Sequence, residues 1–332
     1  MDWTQPGAFE VAPGVHRIPL PLPGDGLHTV NAYAVRDGDG LVLIDPGWSL
    51  DAGSAALERA LGALGHGFED VRRFLVTHAH RDHYTMAVAL RRRFGTKVAL
   101  GLGEQPSLAR ITARSTSQVR SLREWGAPHL AEHWRTVLSA LGDDAARDYE
   151  DPDEWLEEGD LELDERVLRV LPTPGHTRGH VVFVDAEAQL LFAGDHVLPH
   201  ITPSIGFEAA RSALPLGDYL DSLRLVRSCP DLRLLPAHGP VTGSSHARVD
   251  ELLAHHEDRL AATLEAARAG TGTAFATAGR LGWTRRGRSF AELDPFNQVL
   301  AVGETAAHLD LLVRRGLVRA TERDGVVGYE AG

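Results

Sequence analysis

The sequence predicts a mixed α/β protein built in layers, followed by a smaller and mainly helical domain. Short apolar runs typical of strands alternate with amphipathic segments of helical length over most of the chain. Several of these runs are joined by Gly, Pro and Asp residues that favour turns. From about residue 246 the pattern becomes mainly helical, so two domains are expected, at 1–245 and 246–332.

The first domain alternates strand and helix patterns. The expected strands cover 15–20, 30–36, 41–45, 72–77, 97–100, 167–171, 181–184, 190–193 and 232–235, and the expected helices cover about 51–64 and 84–93. Residues 103–150 differ, because they carry Arg, Glu and Trp at helical spacing and show no strand pattern. We expect them to form a helical insertion, with a lid as one role for it.

The second domain resembles a small winged-helix module. Helices are expected at about 246–269, 272–281 and 296–315, and a β-hairpin with Asp324-Gly325 at its turn follows them. The helix at 296–315 carries no basic stripe, although nucleic-acid binding would need one. We therefore expect the module to form a wall of the substrate pocket or a contact in a homodimer.

Composition narrows the classes of function. The net charge of −12 disfavours non-specific binding to nucleic acid or anionic lipid. Cys229 is the only cysteine, so an intrachain disulfide is excluded. The first residues lack the basic and apolar regions of a secretory signal, and no apolar run approaches the ~18 residues of a membrane span. A cytoplasmic protein with no membrane contact is expected.

The densest polar cluster follows the apolar run that ends at Val76. Within six residues the chain places His78, His80, Asp82 and His83. An apolar run that stops at such a cluster indicates a buried strand ending in a loop, where α/β proteins place their chemistry. Histidine is the commonest metal ligand, and a carboxylate beside it suits a divalent ion. The cluster therefore predicts a metal site.

Three further polar residues stand at the ends of apolar runs. They are His176, Asp195 and His238. Each is flanked by Gly or Pro, and such residues permit tight turns that aim a side chain inward. A single histidine at a strand end is more often structural, but the joint pattern favours one shared site.

The order of these residues resembles that of the metallo-β-lactamase-fold hydrolases. The resemblance covers about residues 13–242 and implies an αβ/βα sandwich with a two-metal site at one edge. Carried over position by position, it assigns the first metal to His78, His80 and His176, the second to Asp82, His83 and His238, and the bridge to Asp195. Asp45 would orient a ligand imidazole by a hydrogen bond to its other ring nitrogen. Alternatively, Asp45 is only a turn residue before Pro46-Gly47.

The resemblance implies a hydrolase in which a hydroxide held by two divalent ions cleaves a small-molecule thioester or related activated ester. Asp195 resembles the glyoxalase II-like branch rather than the β-lactamases that commonly carry cysteine there, so antibiotic hydrolysis is not expected. A lactonase, or an endoribonuclease or phosphodiesterase with the same metals, remains an alternative. Zinc is the expected metal, and iron or manganese fits a His/Asp site almost as well.

Two residues are candidates for a catalytic role. Asp82 could orient the nucleophile or accept its proton. Tyr84 could line the pocket and hydrogen-bond a substrate oxygen. Alternatively, Tyr84 packs against the protein in the first turn of the helix and does not contact substrate. His180 is expected to brace the loop after His176, and His255 and His256 are expected to be mainly structural.

Overall fold

The computed structural model describes residues 2–24, 26–140, 144–284 and 287–331. Its strands are β1 (Phe9–Ala12), β2 (Val15–Pro21), β3 (Thr29–Asp37), β4 (Gly40–Ile44), β5 (Val71–Val76), β6 (Lys97–Gly101), β7 (Glu154–Leu156), β8 (Gly159–Glu162), β9 (Val167–Pro172), β10 (Val181–Asp185), β11 (Leu190–Gly194), β12 (Arg233–Pro236), β13 (Val318–Arg323) and β14 (Val326–Ala331). Its helices are α1 (Asp51–Ala63), α2 (Arg81–Phe94), α3 (Gln105–Thr112), α4 (Ser117–Glu124), α5 (Pro128–Ala140), α6 (Asp144–Arg147), α7 (Pro215–Ser228), α8 (Ser245–Arg268), α9 (Ala274–Ala278) and α10 (Pro295–Arg314).

Two sheets pack face to face. In the described part of the chain, one sheet holds β1 to β7 in sequence order, and the other has the order β12-β11-β10-β9-β8. Buried side chains from both sheets fill the space between them, including Ile44 and Leu75 from the first and Phe183 from the second. The rings of Tyr33 and Phe192 meet across this interface edge to face, with centroids 5.5 Å apart.

Helices cover the outer face of each sheet. Leu57 of α1 packs in one buried cluster with Phe74 of the first sheet. Leu223 of α7 packs in another with Val182 of the second sheet. The apolar side chains of each sheet alternate between its two faces, so both faces need a partner layer. The predicted αβ/βα sandwich is confirmed.

The strand directions bring several strand ends to one edge of the sandwich. β4 and β5 are parallel in the first sheet, and β11 and β12 are parallel in the second. β10 is antiparallel to both β9 and β11, so β9 runs in the same direction as β11. The segments that follow β5, β9, β11 and β12 carry the histidine and aspartate side chains predicted to bind metal.

The helical insertion and the C-terminal region share one core. Residues 105–140 form α3, α4 and α5, as predicted for a helical segment. Leu122 and Trp125 of the insertion lie in the same buried cluster as Leu309 and Leu312 of α10. The insertion therefore packs on the C-terminal helices.

The C-terminal region consists of helices followed by a two-stranded sheet. Asp324 and Gly325 both have positive φ, of 52° and 75°, between β13 and β14. This conformation matches the predicted hairpin turn, in which both central residues need φ above zero. The winged-helix identity of the region stays a prediction.

Some elements differ from the predictions. Helix α7 lies outside the elements predicted from the sequence, although Leu220 and Leu223 have helical spacing and Pro215 stands at the first helical turn. α9 is shorter than expected at both ends, because the left-handed Gly272 precedes its start and Gly279 stands at its C-terminal cap. Among the described residues, every helix is too short or too polar to cross a lipid bilayer.

Candidate metal centre

The segment after β5 changes from strand to helix within the predicted metal motif. His80 has extended backbone angles and is the N-cap of α2, so His78 and His80 lie in the connecting segment. Asp82 and His83 occupy the first turn of the helix. A carboxylate is favoured there, because the N-terminus of a helix carries partial positive charge. The change of backbone conformation lets neighbouring residues project into one space from different directions.

The seven predicted ligands form two adjacent groups. The first group contains His78, His80, His176 and Asp195, and the second contains Asp82, His83 and His238. Within each group the candidate ligand atoms lie within 4.8 Å of one another. The structure therefore brings together every residue that the sequence predicted to bind metal.

In the first group, ring nitrogens and one carboxylate oxygen converge. The Nε2 atom of His176 lies 3.1 Å from Nδ1 of His80 and 3.5 Å from Oδ2 of Asp195. The ring of His78 meets the ring of His80 edge to face, with centroids 4.5 Å apart. His78 is fully buried, and its Nε2 has no hydrogen-bond partner.

In the second group, the imidazoles of His83 and His238 face the carboxylate of Asp82 and also that of Asp195 from the first group. Nε2 of His238 lies 3.4 Å from Oδ2 of Asp82 and 3.4 Å from Oδ1 of Asp195. Nε2 of His83 lies 3.6 Å and 3.7 Å from the same two oxygens. Because Asp195 turns its Oδ1 to this group and its Oδ2 to His176, its carboxylate can bridge two ions.

These spacings suit a metal ion. Two ligand atoms at ordinary zinc distances and a tetrahedral angle lie about 3.4 Å apart. The contacts of His176 and His238 with Asp195, at 3.5 Å and 3.4 Å, match that separation and exceed an ordinary hydrogen bond. Nε2 of His78, His83 and His238 and Oδ1 of Asp195 are buried without a hydrogen-bond partner. Buried polar atoms rarely lack a partner, so the residues present fit divalent cations.

The other ring nitrogens fix the orientation of the imidazoles. Nδ1 of His176 donates to the carbonyl of Ser204 at 2.8 Å, and Nδ1 of His238 donates to the carbonyl of Thr29 at 2.8 Å. A carbonyl can only accept, so the Nε2 lone pairs of these two histidines point into the centre. Such supporting contacts are a regular feature of metal-binding histidines.

Asp45 supports two more ligands. Its Oδ1 accepts from the backbone N–H of Thr77 at 2.8 Å, and its Oδ2 accepts from Thr77 Oγ1 at 2.9 Å and from His83 Nδ1 at 3.0 Å. Since the Thr77 hydroxyl proton goes to Asp45, its oxygen is left to accept from Nδ1 of His78 at 3.0 Å. These contacts match the supporting role predicted for Asp45.

Burial and charge set the protonation of the centre. Burial, together with the neighbouring imidazole, lowers the pKa of His80 to about 3, and burial lowers the pKa of His176 to about 4. Burial also disfavours protonated His83, but the carboxylates of Asp82, Asp45 and Asp195 outweigh it and raise the pKa of His83 to about 10. Positive charge is therefore favoured in the second group, and a divalent ion would supply it in place of the proton.

Tyr84 lies outside this centre. Its ring is fully buried, its hydroxyl donates to the carbonyl of Glu150 at 2.6 Å, and it stacks on Tyr149 with centroids 6.1 Å apart. These contacts support the packing alternative for Tyr84 rather than a contact with substrate. His180 braces the loop as predicted, because its Nδ1 lies 2.9 Å from Thr173 Oγ1 and its Nε2 accepts from the N–H of Asp195 at 3.2 Å.

Glu104 is a supporting residue that the sequence did not indicate. It is fully buried, and its carboxyl accepts from the hydroxyl of Thr177, the residue after the ligand His176. Burial, partly offset by Thr177, raises the pKa of Glu104 to about 7. The sequence feature that could have indicated this contact is the pair Gly101-x-Gly103 just before Glu104. Both glycines lie against the backbone around Gly179, where a side chain would not fit.

Comparison with known proteins agrees with this geometry. The family model described as the metallo-beta-lactamase superfamily matches residues 25–238. The lactamase-like protein nscB of Neosartorya fischeri is 29% identical over 234 residues, which are 70% of this chain and 55% of that protein. The chain thus spans only about half the length of this curated relative.

Two solved structures resemble nearly the whole chain. A metallo-beta-lactamase family protein from Thermus thermophilus is 28% identical, with a TM-score of 0.73 over 97% of this chain and 100% of its own. A beta-lactamase domain protein from Burkholderia ambifaria is also 28% identical, with a TM-score of 0.78 over 100% of this chain and 96% of its own. The similarity therefore extends over the helical insertion and the C-terminal region. The family model matches well over half of the chain, and the chain belongs to the metallo-beta-lactamase superfamily.

Proposed function

We propose that this protein is a dinuclear metallohydrolase that cleaves a small-molecule thioester or a related activated ester. The observation that carries the proposal is the position of Asp195, which presents one carboxylate oxygen to each group of ligands. Two divalent ions held there, zinc by preference, would lower the pKa of a shared water toward ~7 and polarise the substrate carbonyl.

Asp82 is suited to orient the attacking water. Burial disfavours its charged form, but His83 and His238 outweigh that effect and hold the pKa of Asp82 well below its usual range. Its side chain is 17% exposed, whereas His83 beside it is fully buried, so it is the member of that pair that solvent reaches. An ionised carboxylate in this position accepts a hydrogen bond from water and is a weak proton acceptor.

The ester class is supported by the ligand set and by charge. An aspartate at the bridging position resembles the glyoxalase II-like branch, and Cys229 lies at the end of α7 rather than in the metal centre. A net charge of −12 disfavours polyanionic substrates such as RNA. Thioesters and lactones present the same kind of carbonyl to the same centre.

A substrate screen on metal-replete protein tests the proposal. We expect turnover of a simple acyl thioester and no cleavage of bis(p-nitrophenyl) phosphate or single-stranded RNA. His80→Ala should remove at least about 99% of the activity, because it takes a ligand from the first group. His133→Ala, which changes an exposed histidine of α5, is the matched control and should keep full activity.

Two results would count against the proposal. Cleavage of phosphodiesters or RNA, without cleavage of thioesters, would contradict the proposed substrate class but not the assignment of the metal ligands. Folded, metal-replete protein that turns over no thioester or lactone would refute the ester class altogether.

A further inference from the structure

A cavity lies beside the metal centre, between the loop after β11 and the C-terminal helices. It has a volume of about 570 Å³, and its walls include Thr202 and Ser204 from the loop, Arg248 and Arg259 from α8, and Leu300 from α10. This volume falls within the range of small-molecule sites. None of the predicted metal ligands is among the described residues that line it.

The loop between cavity and metal centre contacts both. The carbonyl of Ser204, a cavity residue, accepts from Nδ1 of the ligand His176 at 2.8 Å. On the same loop, Pro199 packs so closely on Gly239 that a Cβ there would lie 2.7 Å from its Cγ. Gly239 follows the ligand His238. The cavity and two of the metal ligands are therefore contacted by one short loop.

One wall of the cavity is cationic. The side chain of Arg259 is only 12% exposed, donates from Nη1 to the carbonyl of Gly282 at 2.7 Å, and lies 4.0 Å from the ring centroid of Trp283. Its Nη2 is buried and has no hydrogen-bond partner. A buried guanidinium donor without a partner is unfavourable, and an anionic acceptor on a ligand would satisfy it.

The protein itself neutralises this charge only weakly. Glu304 also lines the cavity, but its Oε1 lies 3.9 Å from Nε of Arg259, beyond hydrogen-bond distance. Burial raises the pKa of Glu304 above its usual range, so its carboxyl is less readily ionised than a surface glutamate. Arg248 lines the same wall, but its guanidinium already pairs with Glu251 at 2.7 Å and donates to the carbonyls of Leu198 and Ile201, so the donor without a partner is that of Arg259. This wall contrasts with the net charge of −12 of the whole chain.

Part of the remaining lining is apolar, beside polar side chains that include His255 and Asn297. Ile201 is 41% exposed at the loop, and Leu293 and Leu300 are half-buried. Apolar side chains next to a buried cation suit a ligand that has a hydrocarbon part and a negative end. A purely polar anion would leave these side chains in contact with water.

We propose that this cavity binds the anionic end of the substrate that is cleaved at the metal centre, with Arg259 as its principal contact. Two sources share this chemistry, a phosphate on the leaving group and a carboxylate at the far end of the acyl group. The identification of the ligand as substrate rests on the proposed function. The binding of an amphipathic anion by the cavity does not.

Binding of compounds that cannot be hydrolysed tests the inference separately from turnover. The probes are thioether analogues: butyl-coenzyme A for the phosphate source, S-(4-carboxybutyl)-N-acetylcysteamine for the carboxylate source, and S-butyl-N-acetylcysteamine as the neutral reference. By calorimetry on the metal-replete protein, we expect at least one anionic probe to bind about tenfold or more tightly than the neutral one. Equal affinities for all three would overturn the inference, even if thioesters are hydrolysed.

Two arginine variants locate the anion. Arg259→Gln should remove the preference for the anionic probe, and Arg259→Lys should restore part of it. Arg315→Gln is the matched control, because Arg315 lies in the same region, is exposed and pairs with Glu257 at 2.9 Å. If Arg259→Gln still binds the anionic probe more tightly than the neutral one, Arg259 is not the principal contact of the anion.

A cavity-filling variant covers the case in which Arg259→Gln does not fold. Leu300→Trp adds volume at a half-buried cavity position without changing charge. We expect it to weaken the preferred anionic probe about tenfold or more while the metal content stays that of the wild type. Unchanged affinity for that probe in Leu300→Trp would show that it binds elsewhere.

Discussion

At the scale of single residues, the centre depends on a carboxylate outside the two ligand groups. Asp45 has a φ of 50°, a left-handed conformation that few non-glycine residues adopt, and Asp is among those that tolerate it. From this position its carboxylate holds Thr77 and His83 and, through Thr77, orients His78. Backbone strain of this kind is common where the fold must aim a functional group.

The substitution Asp45→Asn tests this role. Asn also tolerates positive φ, so the change removes charge without forcing the backbone. The carboxylate accepts from three donors through two oxygens, whereas an amide has one acceptor oxygen and would turn its NH2 group toward at least one of these donors. We therefore expect metal affinity to fall about 10–100-fold in a competition titration. Asp51→Asn, at an exposed position of α1, should leave the affinity unchanged. Wild-type affinity in Asp45→Asn would contradict the role.

The ligands could be predicted from sequence because all of them lie within seven residues of the end of an apolar run. Their supports could not be predicted in the same way. Ser204 and Thr29 contribute backbone carbonyls, which have no side-chain signature. Tyr84 shares the first turn of α2 with the ligands, but its partner Glu150 lies 66 positions further along the chain. Such contacts depend on tertiary packing.

At the scale of elements, three glycines let two backbone segments touch. A Cβ on Gly179 would collide with the backbone of Gly103 and Glu104, and a Cβ on Gly101 or Gly103 would collide with the backbone at Gly179. This approach places the Glu104 carboxyl against Thr177, beside a metal ligand. The start of the helical insertion is thereby joined to the loop after β9.

The pair Gly179→Ala and Gly62→Ala tests this contact. Because backbone cannot move aside as a flexible side chain can, we expect Gly179→Ala to lower the free energy of unfolding by at least about 3 kcal/mol. Gly62 lies within α1 with open space around it, so its change to Ala should raise the free energy of unfolding by about 0.5–1 kcal/mol. Equal effects of the two changes in urea denaturation would argue against the close approach.

A buried pair of carboxyl groups lies at the same junction. Burial, with Glu104 nearby, raises the pKa of Glu208 to about 8. Its Oε2 accepts from the N–H of Arg178 at 3.1 Å and from the hydroxyl of Ser107 at 3.3 Å. The pair therefore connects the insertion, the loop after β9 and the segment before α7.

This pair predicts a loss of stability in alkali. A carboxyl whose pKa is higher in the folded state stabilises the fold below its unfolded value near 4.5, and that contribution is lost as pH rises through about 8. We expect the free energy of unfolding to fall between pH 5 and 9 by a few kcal/mol. Glu208→Gln should reduce this slope, whereas Glu58→Gln on the exposed face of α1 should not. If the free energy of unfolding depends on pH in the same way in the wild type, Glu208→Gln and Glu58→Gln, Glu208 is not the source of the alkaline loss of stability.

Element types were easier to predict than element contacts. The strands of the sandwich have strong apolar runs, and all the predicted ones are present within a few residues. Helix α7 was missed although its apolar positions are spaced for a helix, because it follows a long irregular segment at 195–214. That the insertion would pack on α10 depends on contacts between residues nearly 200 positions apart, such as Leu122 and Leu309.

At the scale of the whole molecule, the metal centre joins the two sheets. His78, His80, Asp82 and His83 follow β5 of the first sheet, whereas His176, Asp195 and His238 follow strands of the second. Each ligand group contains residues from both sheets. Two ions in this position would neutralise the facing carboxylates and hold the halves of the sandwich together, so bound metal should also stabilise the fold.

The most direct test of the two-metal centre is the metal content per chain, measured by mass spectrometry after dialysis against metal-free buffer. We expect about two equivalents in the wild type and in the exposed control His133→Ala, and about one in His238→Ala, which removes a ligand from the second group only. A folded wild type that retains no metal, or a His238→Ala variant that retains as much as the wild type, would contradict the assignment of these seven side chains to two ions.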